Sequence, residues 1–342
     1  MPSELDFSST DFSMPFPPAG PNQSLTQAEI ATWQWIDTAG ICQAPANRRY
    51  LRRTQPELVS ALYYPHATPE VVGLIGQWTA FAFILDDEFD DGPAGKQPSF
   101  SAEAIQHLTE VMHGAEPTNL LSEALLDLWN RLTADRSASW RRSFRTDVSK
   151  WLWTYYAETI DRTSGRLPSI DEYQMHRIYS VGMPMYLDMC EIACAIDLPE
   201  PVRQLPAWRE LRDSACQRVG LYNDLLSARK ERISAYSHNA VFILEKNHQH
   251  STPEAVRRVN NLVTTKVKKM ISLEKQVLDQ VATLGDEDLI PDILQCLTAY
   301  RQLVRGDHDY AFLSQRYMQP EEEQMKGAHH VSNLLGARLP GP

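Results

Sequence analysis

Helical periodicity runs through this chain with almost nothing set against it, and that leaves few architectures open. Apolar residues recur at helical spacing over about 69–89, 100–113, 119–134, 137–161, 170–197, 201–231, 252–283 and 286–317. Start signals stand in front of several of these runs. Thr68-Pro69-Glu70, Ser169-Ile170-Asp171-Glu172 and Thr252-Pro253-Glu254 each put a capping residue before acids or a proline. Pro and Gly clusters punctuate the chain at Gly92-Pro93, Pro117, Gly165 to Pro168 and Leu198 to Pro201. Alternating strand patterns joined by hairpin turns are absent, and no short internal repeat is visible. The expected fold class is all-α. Residues 1–25 are polar and Pro-rich and read as disordered or loosely attached, and 320–342 read as a flexible tail. One feature breaks helical grammar inside a segment. In Gly182-Met183-Pro184 the proline has no N–H for the carbonyl of Ser180, so a kink, or a loop between two helices, is expected there.

Two acidic clusters of different grammar lie on separate helical segments. The first, Asp86-Asp87-Glu88-Phe89-Asp90-Asp91, ends the apolar run Phe81-Ala82-Phe83-Ile84-Leu85. Asp86 and Asp90 are four apart and share a helix face. The second, Asn223-Asp224-Leu225-Leu226-Ser227-Ala228-Arg229-Lys230-Glu231, sets Asn, Ser and Glu four apart in turn. Asn223, Ser227 and Glu231 drift by only ~40° per step and span about 12 Å of helix axis. An amide oxygen, a hydroxyl and a carboxylate suit Mg²⁺ and suit neither zinc nor copper. Mg²⁺ takes few protein ligands and fills its shell with water and substrate phosphate, so an incomplete oxygen cage is what a diphosphate site needs. An acidic run is more often a solvated helix end. Here the flanking residues Trp78, Phe81, Phe83, Ile84 and Leu85 read as buried, and a carboxylate cluster emerging from a core helix repels itself unless a cation offsets the charge.

Composition bounds the rest. With 342 residues, 43% hydrophobic and 23% charged, the chain can bury a large core as one domain or two smaller ones. A net charge of −11 argues against nucleic acid and anionic membrane surfaces as partners, and it suits an anionic substrate only if metal ions supply positive charge. The five cysteines have no metal-site spacing. Cys190 and Cys194 read as buried thiols, so a reducing, cytoplasmic setting is expected. No apolar run approaches the length of a membrane span.

Over about residues 60–318 the chain resembles a class I terpene synthase of the bacterial or fungal single-domain type. The aspartate-rich motif matches at Asp86 to Asp90, and the Asn–Ser–Glu triad matches at Asn223, Ser227 and Glu231 without a gap. Arg177 stands 46 residues before Asn223 (223 − 177), where the family keeps an arginine that senses the diphosphate. Arg316-Tyr317 matches the arginine–tyrosine pair near the family's C-terminus, and Lys230 matches a usual phosphate contact. The resemblance implies one helical domain, 26–319, built around a central active-site cavity. It implies three Mg²⁺ ions, with Asp86 and Asp90 for two of them and Asn223, Ser227 and Glu231 for the third. Arg177, Lys230, Arg316 and Tyr317 would hold the diphosphate. Ser180, Val181 and Gly182, just past the sensor arginine, would transmit its binding to ionisation. Phe83 and Tyr310 would line the pocket. Tyr310 stands where family members often carry a tryptophan, which bears on the product and not on the class. Asp87 is expected to order nearby basic side chains. The implied reaction ionises a linear prenyl diphosphate, farnesyl before geranylgeranyl, and cyclises the carbocation. No side-chain base is named, since the released diphosphate can serve. A homodimer stays open.

Other readings stay open at this stage. A chain-elongating prenyl diphosphate synthase shares the fold but usually carries two aspartate-rich motifs, and the second motif here has Asn and Ser. A helical metal-dependent phosphohydrolase would rely on His and Asp, and His176 is the one histidine near a proposed site residue. A non-catalytic isoprenoid-binding protein would bind without turnover.

Overall fold

The computed structural model describes residues 12–233, 238–317 and 333–336. They form fourteen helices in chain order: α1 (Leu25–Ala39), α2 (Pro45–Thr54), α3 (Pro56–Tyr63), α4 (Pro69–Asp90), α5 (Pro98–Val111), α6 (Leu120–Thr133), α7 (Ala138–Ser164), α8 (Ile170–Ser180), α9 (Met183–Ala193), α10 (Glu200–Gln204), α11 (Pro206–Ile233), α12 (Ala240–His248), α13 (Thr252–Ala282) and α14 (Leu289–Leu313). No strand occurs among the described residues. The all-α expectation holds. None of the described helices is long and apolar enough to cross a membrane.

Local chemistry explains the ends. The Thr68 hydroxyl accepts the N–H of Val71, and Pro69 opens α4 where no helical N–H is needed. Ser169 and Glu172 form a reciprocal capping box at α8. Gly165 ends α7 in the left-handed region at φ 70°. At α13 the reading shifts by one residue. Ser251 is the cap position and Thr252 already lies in the helix, its hydroxyl donating to Glu245 Oε1 at 2.6 Å. The expected kink near Pro184 is a full break. Gly182 adopts φ 73°, α8 stops, and Pro184 sits in the first turn of α9, where its missing N–H costs nothing. Helices α1 to α3 and the short α12 lie outside the expected segments.

Helix α4 is the central element. Its residues from Val72 to Phe89 are buried almost all round, with α1 and α3 packed on it. Helix α13 lies along α11, and α14 lies along α3. Gly306 permits the last contact. A Cβ there would stand 2.4 Å from the Leu62 carbonyl oxygen and 3.0 Å from Tyr63 N. Behind the α8–α9 break, Arg212 of α11 reaches Asp147 of α7 at 2.8 Å, Asp188 of α9 at 2.9 Å and the Pro184 carbonyl at 3.1 Å. The start of α9 is thus pinned from its outer side.

Both end segments make contacts where they are described. Residues 12–24 are anchored at a few points. Phe16 is buried, Phe12 meets Tyr222 edge-on at 5.0 Å, and the Asn22 amide donates to the carbonyls of Tyr64 (3.0 Å) and Ala67 (2.9 Å). Within the expected tail, Leu335 is buried, and the backbone N–H groups of Leu334 and Leu335 donate to Glu88 Oε2 at 2.9 and 3.4 Å. The rest of both segments, 1–11, 318–332 and 337–342, lies outside the described residues. All five cysteines are free thiols. Cys190 is buried as expected, whereas Cys194 is only half-buried.

Gly306→Ala is expected to lower unfolding stability by about 2 kcal/mol, the usual range for overpacking against backbone that cannot yield. Chemical denaturation of the two proteins side by side checks it.

Candidate active site

Helices α3, α4, α7, α8, α9, α11 and α14 enclose a cavity of about 140 Å³. Apolar and aromatic residues, Ala82, Phe83, Trp151, Tyr155, Met185, Tyr186 and Val219 among them, form much of its wall beside polar groups. Polar groups gather at the end where α4 and α11 finish.

On α4, Asp86 faces the cavity and its Oδ1 accepts the Tyr155 hydroxyl at 3.0 Å. The Tyr155 ring stacks on Phe89 at 4.5 Å, so α7 fixes the first carboxylate. One turn on, Asp90 pairs with Arg162 at 3.6 Å, and the same guanidinium donates to Gly95 O at 2.7 Å. Burial pushes the carboxyls of Asp86, Asp87 and Asp90 above the usual range. Repulsion from Asp86 adds to the burial effect at Asp90 and at Asp87. Arg316 and Lys230 act the other way on Asp86 and Asp87.

On α11, the Asn223 amide is held from both sides. Its Oδ1 accepts Arg177 Nη2 at 2.9 Å and its Nδ2 donates to the Tyr317 hydroxyl at 2.7 Å. Arg177 also pairs with Asp224 at 3.0 Å and donates to Ser180 Oγ at 3.2 Å. Ser227 Oγ donates back to the Asn223 carbonyl at 2.8 Å. Glu231 accepts Asn239 Nδ2 at 2.8 Å, and burial, then repulsion from Asp224, pushes its carboxyl up to about 7. Lys230 Nζ donates to the Tyr50 hydroxyl at 2.8 Å. The Arg316 guanidinium lies over the Phe83 ring at 4.5 Å.

Most of the residues singled out from sequence share this cavity. Phe83, Asp86, Arg177, Ser180, Val181, Gly182, Asn223, Tyr310, Arg316 and Tyr317 line it. Asp90, Ser227, Lys230 and Glu231 are not in its lining and follow further along α4 and α11. The Tyr310 hydroxyl donates to the Thr54 carbonyl, which fixes it as wall. The residues that orient this set escaped sequence reasoning: Tyr155, Asp224, Asn239, Tyr50 and Gly220. Arg177 lies flat over Gly220, where a Cβ would stand 2.5 Å from Arg177 Cγ. Asn239 carried a usable signal, a cap residue before the apolar run of α12. The others are ordinary helix positions until the helices pack.

The donor set fits hard divalent cations. Among the described residues no three His, Cys, Asp or Glu side chains converge on one point. The available donors are instead two carboxylates on α4 and an amide, a hydroxyl and a carboxylate on α11, a set that relies on water and phosphate oxygens to complete a shell. The carboxyls pushed up by burial and mutual repulsion are those a cation would relieve.

Two substitutions test the arginine. Arg177→Lys replaces a bidentate fork by a point charge and is expected to cost about 2 kcal/mol, roughly thirtyfold in kcat/KM with a prenyl diphosphate. Gly220→Ala adds a methyl group where Arg177 lies and is expected to cost roughly 10²-fold through misplacement. Alanine's better helix propensity, about 1 kcal/mol, offsets part of any stability loss, and circular dichroism and steady-state kinetics together separate the two effects.

The comparisons with known proteins agree with this geometry. The family profile "Terpene synthase family 2, C-terminal metal binding" matches residues 77–269. The (2Z,6E)-hedycaryol synthase of Kitasatospora setae is 31% identical over 281 residues, 81% of this chain and 82% of that protein. The (−)-β-caryophyllene synthase ((2E,6E)-farnesyl diphosphate cyclizing) of Saccharothrix espanaensis is 26% identical over 96% of this chain and 94% of its own length. A solved hedycaryol synthase in complex with HEPES superposes with a TM-score of 0.77 at 28% identity, covering 88% of this chain and 97% of that one. With the profile matched over more than half of its length, the chain belongs to terpene synthase family 2 and is a class I terpene synthase.

Proposed function

We propose that this chain is a Mg²⁺-dependent cyclase of farnesyl diphosphate, with geranylgeranyl diphosphate the second choice of substrate. The observation that carries the reading is that Asp86 and Asn223, one from each oxygen-donor cluster, line the same cavity as Arg177, Arg316 and Tyr317. The names of relatives support the fifteen-carbon substrate.

Asp86 and Asp90 would hold two of three Mg²⁺ ions, and Asn223, Ser227 and Glu231 the third. Bound there, the ions supply positive charge that makes diphosphate a leaving group. Arg177 now bonds Asn223 and Asp224, and a phosphate oxygen is a stronger partner for its fork than an amide. Tyr317 and Arg316 offer a hydroxyl and a second guanidinium, and Lys230 a point charge. Ser180 accepts from Arg177, and Val181 and Gly182 follow it into the cavity wall. Movement of the arginine is therefore felt where the allylic end of the substrate would lie. The faces of Phe83, Trp151 and Tyr155 attract the cation that forms, and the apolar wall keeps water from it. The free thiols fit a reducing, cytoplasmic setting.

The test is incubation with geranyl, farnesyl and geranylgeranyl diphosphate separately, with Mg²⁺ or with EDTA, and gas chromatography–mass spectrometry of the extract. A cyclic C15 product that needs Mg²⁺ is expected, and Asn223→Ala or Glu231→Ala should abolish it with the fold intact. A longer prenyl diphosphate as product would move the reading to chain elongation. Retained activity in either variant would remove the metal assignment.

A further inference from the structure

The cavity has a second polar pole that the diphosphate does not need. Among its described lining residues the carboxylates are Asp86, in the aspartate-rich motif, and Asp307 on α14. Asp307 Oδ1 accepts the Tyr63 hydroxyl at 3.2 Å, and Oδ2 accepts Arg218 Nη1. Arg218 is fully buried, lies 4.4 Å over the Tyr222 ring, and its Nη1 also reaches the Val304 carbonyl at 3.4 Å. Its Nε and Nη2 find no hydrogen-bond partner among the described residues. A buried ion pair with donors left over is a poor device for stability, which apolar side chains of similar volume supply as well or better. Its place in the wall of a reaction cavity is the alternative account.

The pole lies below the diphosphate level. Arg218 precedes Asn223 by five residues of α11, about 7.5 Å of axis. Tyr63 meets Tyr186 edge-on at 5.6 Å, and the Tyr186 hydroxyl donates to Thr79 at 3.0 Å. Thr79 lies seven residues before Asp86 in α4, about 10 Å down that helix. The close approach of α14 and α3 at Gly306 is what brings Tyr63 onto Asp307. Burial raises the Asp307 carboxyl and Arg218 pulls it back down. A modest base is enough, because a C–H bond beside a cationic carbon is strongly acidic.

We propose that Asp307 is the terminal proton acceptor of the cyclisation, held in place by Tyr63 and Arg218. This rests on the cyclase reading above. The C–H bond next to the cationic carbon breaks, its electron pair becomes the new alkene bond, and the proton joins a carboxylate oxygen of Asp307. If water has captured the cation, the same oxygen takes the proton from the oxonium and leaves an alcohol. The cation is discharged, the carboxylate becomes a carboxylic acid, and Arg218 keeps its charge. The acid returns its proton to solvent after the product leaves. Asp307 is the catalytic residue in this step, and Tyr63 and Arg218 are positioning residues.

The experiment uses the full chain with farnesyl diphosphate and Mg²⁺. It measures diphosphate released and each volatile product in wild type, Asp307→Asn, Tyr63→Phe and the double variant Arg218→Met/Asp307→Leu, which removes the charge pair together. The readout is the ratio of wild-type product to diphosphate released. Removing the acceptor should lower that ratio about 10²-fold in Asp307→Asn and in the double variant, with earlier cations leaving as other alkenes or alcohols. Tyr63→Phe, which deletes one oxygen, should lower it about tenfold in the same direction. An unchanged ratio, whether or not release slows, would overturn the proposal and make the departing diphosphate the acceptor. If Asp307→Asn fails to fold, the double variant and Tyr63→Phe decide. Wild type that releases no diphosphate from any prenyl substrate would instead overturn the cyclase reading.

Discussion

The arrangement of the site turns on one guanidinium. Arg177 leaves α8 in its last turn, crosses to α11 and there binds Asn223 and Asp224 at about hydrogen-bond distance. It can do so because Gly220 presents no side chain beneath it. The same residue donates to Ser180, two positions before the helix breaks at Gly182. Through one side chain the helix carrying the Asn–Ser–Glu triad, the broken wall of the cavity and the Tyr317 hydroxyl become a single connected structure. Arg212 completes it from outside by clamping the first turn of α9. A break between α8 and α9 would otherwise be free to open. Tied on both faces, it has a defined position from which to respond to an anion.

Charge explains the rest of the mouth. Three carboxyls on α4 are raised by burial, and Asp87 and Asp90 further by Asp86, a state that costs free energy in the folded chain. The fold offsets part of it with Arg162, Arg316, Lys230 and the Tyr155 hydroxyl. What remains is an unmet preference for positive charge at a place where only oxygen donors are offered. Divalent cations followed by an anionic substrate satisfy it, and this resolves the apparent conflict between a net charge of −11 and a diphosphate ligand. Deeper in the cavity the charge is balanced differently, since Asp307 already has its cation in Arg218.

Much of this was legible before any coordinates. Asp86 and Asp90 had to share a face because they are four apart on a helix, and Asn223, Ser227 and Glu231 likewise. Arg177, Arg316 and Tyr317 were found by their spacing and order within a family pattern, and the structure places all three around the same cavity. Residues that act across helices were not legible. Nothing in the local sequence distinguishes Tyr155 from Tyr156, yet one bonds Asp86 and the other does not line the cavity. Gly220 and Gly306 look like weak points in helices and turn out to be points of close approach. Phe12 to Ser24 read as loose because polar and Pro-rich composition says nothing of the Asn22 amide, which spans to two carbonyls beyond α3.

The sequence by itself determined the helices, the faces on which their acids lie, and the kind of ion and leaving group those acids can serve. These depend on residue type and on a 3.6-residue period, both of which are local. Only the tertiary structure decided which faces meet: that Arg177 rests on Gly220, that Tyr155 secures Asp86, and that Asp307 and Tyr63 share the cavity with Arg218 at their back. Those pairings join positions up to 244 residues apart, and they are set by how whole helices pack around a common core, a property no single segment carries.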